Sequence, residues 1–161
     1  MPEVNYQVEG IRVALEMERR GKNLYERAQM FTEDPALIAL LKELVEDETK
    51  HYSQFSAMLQ IFGVEPMSAE ETALSAAKAA DFFFPGGLMQ AAMDGALRSP
   101  EAMLEEAMQA ERDSISFYGQ LLSHIKELEQ QEIILRIIRE EMNHLRTLTE
   151  RKQMYAKEEN A

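Results

Sequence analysis

Apolar residues recur at helical steps through four stretches of the chain, and each stretch carries acidic or imidazole side chains at positions the same periodicity turns inward. In residues 4–31, Val4, Val8, Ile11, Leu15, Glu18, Tyr25 and Ala28 share one face at steps of three, four or seven. Residues 35–62 do the same with Leu37, Leu41, Leu44, Glu48, His51, Phe55, Met58 and Phe62. Asp34-Pro35 heads that stretch with a capping side chain followed by proline at the first helical position. Ser99-Pro100 gives the same signal for a third helix, 100–126, whose inner face holds Leu104, Ala107, Glu111, Ser114, Tyr118, Leu121 and Ile125. A fourth helix, 129–155, carries Ile134, Ile137, Glu141, His144 and Leu148 and is expected to fray after Tyr155.

The second pair of helices repeats the first. Glu18 and Glu111, Glu48 and Glu141, and His51 and His144 are each separated by 93 positions, as are Tyr25 and Tyr118, and Ala14 and Ala107. A duplicated helical hairpin explains this spacing. Helices joined by a short turn run antiparallel, so residues equidistant from the turn lie at one height. The midpoint of 18 and 48 is 33, at the first turn, and that of 111 and 141 is 126. The second turn, in Lys126 to Glu132, contains neither Gly nor Pro and is located only by the repeat. Residues 63–99 form a long crossover with an Ala-rich stretch, Thr72 to Ala80, and a break at Phe82-Phe83-Phe84-Pro85-Gly86-Gly87; a start of the third helix near Leu88 is the alternative there. The expectation is an all-α four-helix bundle, residues 1–161 as a single domain, with six polar groups converging midway along it.

Composition narrows the chemistry. The formal charge of −12, with no local run of Lys and Arg, argues against nucleic acid as a partner. No apolar run approaches the roughly 20 residues of a membrane helix, and Met1-Pro2-Glu3 opens no signal peptide, so a cytoplasmic protein is expected. Cysteine is absent, which leaves His and carboxylate as the metal ligands.

Four carboxylates on inward stripes would be prohibitive as bare anions, because each buried charge costs several kcal/mol unless it is neutralised. Two divalent cations carry the charge that balances four carboxylates, and neutral imidazoles complete the coordination without adding any. Glu-x-x-His sets a carboxylate and an imidazole one helical turn apart on one face, so both can meet one ion. Glu18, Glu48, His51, Glu111, Glu141 and His144 are therefore the expected metal ligands.

These residues resemble the ferritin-like di-iron carboxylate proteins, and among them the rubrerythrins. The resemblance rests on Ala14-Leu15-Glu16-Met17-Glu18-Arg19-Arg20-Gly21 with Tyr25, Glu48-Thr49-Lys50-His51, Ala107 to Glu111 with Tyr118, and Glu141-Met142-Asn143-His144. It spans the four main helices and leaves out the crossover. It implies two iron ions, with Glu18 and Glu111 as terminal ligands, Glu48 and Glu141 as bridges, and one histidine per iron. It also implies oxidation of bound Fe(II) by hydrogen peroxide or dioxygen, as a peroxidase or ferroxidase. Rubrerythrins carry a further glutamate one turn along the third helix, where this chain has Ser114, and a cysteine-ligated electron-transfer domain. With no cysteine here, electrons are expected from a separate donor protein. The site is then more symmetric, similar to the ferroxidase centre of bacterioferritin.

Other readings stand beside this one. The chain could be an iron storage or delivery module, hold manganese in the same ligands, or be a purely structural bundle; a homo-oligomer, dimer or larger, is expected. Tyr25 and Tyr118 are either core aromatics or hydroxyl donors to ligating carboxylates. Asp47 and Glu140, again 93 apart, either orient a histidine or are outward charges, the latter being the expectation; His124 reads as a surface residue and the methionines as core filler.

Overall fold

The computed structural model describes residues 5–64, 70 and 99–160. Four long helices dominate it: α1 (Tyr6–Ala28), α2 (Pro35–Ile61), α3 (Pro100–Leu122) and α4 (Leu128–Glu159), with a 3-10 turn at Gln29–Phe31 and no strand among the described residues. None of these helices is long and apolar enough to cross a membrane. Val4, the Ala-rich stretch, the Phe82 to Gly87 break and the Leu88 alternative lie outside the described residues.

Local chemistry sets the helix ends. Asn5 caps α1 by accepting from the amides of Gln7 and Val8, Asp34 caps α2 through Ala36, and Ser99 caps α3 through Ala102. Pro35 and Pro100 occupy first-turn positions where a missing N–H leaves no bond unmade. After α2, Gly63 takes φ +69°, the left-handed conformation that ends helices at little steric cost when the residue is glycine.

The second turn departs from expectation. α3 stops at Leu122 instead of 126, and α4 begins at Leu128. Successive i to i+3 bonds, Ser123 N to Gln120 O, His124 N to Leu121 O and Ile125 N to Leu122 O, wind the chain out of the helix without Gly or Pro. The Gln131 side-chain amide then donates to the Ile125 carbonyl. α4 also runs past Tyr155 to Glu159 instead of fraying. The Tyr155 hydroxyl donates to the Asp34 carboxylate, and Lys152 Nζ lies 2.6 Å from Glu105 Oε2, so the last turns are tied to the starts of α2 and α3.

Those ties fix the helix directions. The end of α4 meets the starts of α2 and α3, while at the opposite end the Lys126 amide after α3 donates to Gln7 at the start of α1. α1 is therefore antiparallel to α2 and to α3, and α2 leaves the bundle at the end opposite to the one where α3 enters. Two apolar clusters fill the interior. Ile11, Phe55, Phe117 and Ile134 belong to one, and Leu24, Leu41, Leu104 and Leu148 to the other. The six predicted ligands belong to neither cluster, and each lies on its helix between residues of the two.

Candidate metal centre

Each predicted ligand is buried: Glu18, Glu48, His51, Glu111, Glu141 and His144 are all 4% exposed or less. The helices leave them little choice. Glu18 follows Ile11, Ala14 and Leu15 on the inner stripe of α1, and Glu48 and His51 lie between Leu44 and Phe55 on α2, all of them buried. Glu111 falls between Ala107 and Tyr118 on α3, and Glu141 and His144 between Ile137 and Leu148 on α4.

The six side chains form two overlapping groups. Glu18, Glu48, His51 and Glu141 can offer ligand atoms within 4.8 Å of one another, as can Glu48, Glu111, Glu141 and His144. Glu48 and Glu141 are common to both. His51 Nδ1 lies 2.9 Å from Glu141 Oε1, 3.5 Å from Glu18 Oε2 and 4.0 Å from Glu48 Oε1. His144 Nδ1 lies 3.5 Å from Glu111 Oε1 and 3.7 Å from both Glu48 Oε1 and Glu141 Oε1. Ligands bonded at about 2.0–2.2 Å to one ion stand about 3–3.5 Å apart along the edges of its coordination shell. The spacings here are of that order.

Buried polar atoms normally find partners. Those of the described residues that do not include Glu18 Oε2, Glu48 Oε1, His51 Nδ1, Glu111 Oε2, Glu141 Oε1 and His144 Nδ1, one from each predicted ligand; the others are Gln54 Oε1 and Gln130 Oε1. The rest of the histidine chemistry is satisfied. His51 Nε2 is 2.6 Å from Glu140 Oε2, and His144 Nε2 is 2.9 Å from Asp47 Oδ2. With the Nε2 proton held by a carboxylate, Nδ1 of a neutral ring is a bare lone pair facing carboxylate oxygens. Acceptor faces acceptor, which is stable only with a cation, a proton or a metal ion, between them.

Asp47 and Glu140 keep side chains that are 34% and 46% exposed, as outward charges would be, yet they also serve the site. Each reaches across to the histidine of the other hairpin and fixes its ring. Tyr25 and Tyr118 cross in the same way: the Tyr25 hydroxyl donates to Glu111 and that of Tyr118 to Glu18. Burial, with the neighbouring Glu111 for Tyr25 and Glu18 for Tyr118, pushes both phenols well above their ordinary range, so they remain donors. Tyr25→Phe and Tyr118→Phe should each lower stability by about 1–3 kcal/mol, because a buried carboxylate loses its donor; urea unfolding measures the difference.

Without a metal, protons must neutralise the cluster. Burial, reinforced by repulsion from Glu18 and Glu111, holds the Glu48 carboxyl well above its usual range, and burial with Glu111, Glu48 and Glu18 does the same to Glu141. For His51, burial disfavours the imidazolium, but Glu141 and Glu18 outweigh it and raise the ring to about 11. His144 is raised likewise, with burial opposing and Glu111 prevailing.

Two further titratable residues lie outside the cluster. Glu16 is 3% exposed on α1 and accepts from Arg19 and Arg20, whose side chains are 47% and 24% exposed; the helical stripe does not place Glu16 inward, although arginines three and four positions on were the signal for its partners. His124 is exposed, as expected, and stacks on Tyr6. No protein-family model matches the chain, and neither a curated protein nor a solved structure matches it.

Proposed function

We propose that this protein is a ferritin-like di-iron protein that oxidises bound Fe(II) with hydrogen peroxide or dioxygen, as a rubrerythrin-like peroxidase or ferroxidase. One observation carries the reading: six buried side chains from four helices each keep one unpartnered polar atom and gather in two groups whose ligand atoms lie within 4.8 Å of one another. The two groups would hold two ions, with Glu48 and Glu141 common to both, Glu18 and His51 completing one set and Glu111 and His144 the other. The antiparallel pairing of α1 with α2 and with α3 supports the ferritin-like arrangement.

Two ferrous ions, if held by these six residues, would supply the two electrons that, with two protons, reduce peroxide to two waters. The chain's own groups do the rest. Asp47 and Glu140 hold the Nε2 protons of His144 and His51, which keeps Nδ1 free as the ligand atom. The crossed tyrosines fix one oxygen of Glu111 and Glu18, leaving the other for metal. The apolar clusters at either end of the bundle limit water around the site. Repeated turnover needs a source of electrons, for which we propose a separate donor protein; these 161 residues contain no cysteine to hold a thiolate-ligated electron-transfer centre.

Anaerobic loading with Fe(II) is expected to give about two ions per chain, and addition of peroxide to give ferric absorption in the near ultraviolet. Faster oxidation by peroxide than by dioxygen would favour the peroxidase. A closed shell of subunits retaining iron cores would instead mark a storage protein. Manganese is the second reading, because oxygen and imidazole donors without thiolate accept either metal. Metal analysis of protein from its native cells decides between the two ions.

A further inference from the structure

The 93-position repeat breaks at Gly21, whose counterpart is Ser114. Gly21 lies in the interior of α1, where glycine is a poorer helix former than alanine, and its backbone is not in the left-handed region. No conformational demand explains it. A spatial one does: a methyl group at Gly21 would lie 2.6 Å from Glu48 Oε2 and 3.4 Å from Glu48 Cδ.

We infer that Gly21 is a positioning residue for the metal centre, its missing side chain giving the Glu48 carboxylate a seat against the α1 backbone. The inference rests on the metal reading above. Glu48 is common to both ligand groups, so its placement governs both metal positions. A carboxylate is planar and moves as a unit, so displacing Oε2 also displaces Oε1, which lies 4.0 Å from His51 Nδ1 and 3.7 Å from His144 Nδ1. The seat exists on one hairpin only, because the matching position on α3 carries the Ser114 side chain. The two bridging glutamates are therefore held differently despite the repeat.

Gly21→Ala tests this with Gly119→Ala as its control, because a methyl group at Gly119 would meet nothing within 4 Å. Both substitutions improve helix propensity, but only Gly119→Ala does so in open space and should leave the thermal midpoint of the metal-free protein unlowered; at Gly21 the gain is set against displacement of the Glu48 side chain. Titration with Co(II), followed by its visible d–d absorption, should show about 10- to 100-fold weaker binding and altered bands for Gly21→Ala alone. Glu48→Asp withdraws the carboxylate by one methylene, so Gly21→Ala should cost little further affinity when added to Glu48→Asp. That pair also serves if Gly21→Ala alone proves too unstable to purify. Wild-type affinity and spectrum in Gly21→Ala, or fully additive losses in the double variant, would overturn the assignment of Gly21. Failure of the wild type to bind Co(II) would instead overturn the metal reading on which it rests.

Discussion

Replacing Glu48 and Glu141 together by alanine is expected to bring bound iron from about two ions per chain to none, the largest single effect available at this site. Both carboxylates belong to both ligand groups, so no metal position keeps its full donor set. Loss of an outer partner alone typically weakens a metal site about 10- to 100-fold, and removing the ligands themselves exceeds that. The same positions changed to glutamine separate binding from folding. Glutamine keeps the volume and removes the charge whose burial holds both carboxyls well above their usual range. The metal-free Gln variant should therefore resist urea better than metal-free wild type at about pH 8, by about 1 kcal/mol or more. Ion stoichiometry by elemental analysis and urea midpoints in chelator decide both points. Unchanged iron content in the alanine variant would sink the assignment of these six residues.

Stability and binding pull against each other here, and that opposition is what made the site readable. A core position filled by Glu or His contradicts the local pattern, and such contradictions mark function. On α2 the steps from Leu37 to Met58 are so regular that Glu48 and His51 stand out inside an apolar stripe, and every residue assigned there from Leu37 to Met58 is buried. Where turn chemistry was silent, the reading slipped: the α3–α4 turn, wound by i to i+3 bonds alone, was set four residues late. Cross-hairpin contacts were harder still. Asp47 and Glu140 sit one position before a ligand on their own helices, which reads as outward, and only the packing of α2 on α4 brings each to the opposite histidine. Their shared offset of 93 was the available signal. Gly21 showed only as a glycine inside a helical stretch that the repeat matches with Ser114, and nothing along α1 foretells which side chain of α2 approaches it.

Metal removal should change thermal stability by an amount that grows with pH. In the metal-free fold His51 is raised from 6.5 to about 11, so its contribution is fully present below about 6.5 and is lost as pH rises toward 11. Glu48 and Glu141 act in the same direction. The fold retains their protons above 4.5, where the unfolded chain has released them, so rising pH again favours unfolding. Metal reverses the sign, because ligands bind deprotonated and loading releases those protons, so binding strengthens as pH rises. Two sites each held at a free metal concentration about 100 times Kd add about 2.7 kcal/mol apiece. For a chain of this size that corresponds to roughly 10–20 °C in Tm. Melting curves in chelator and with Mn(II), a redox-quiet probe, should diverge steadily between about pH 5.5 and 8.5, while those of the Glu48→Gln, Glu141→Gln variant coincide throughout. The variant also separates site chemistry from general charge repulsion, which it shares with wild type apart from the two carboxylates. A gap that narrows with pH would mean that protons, not metal ions, are what this cluster is built to hold.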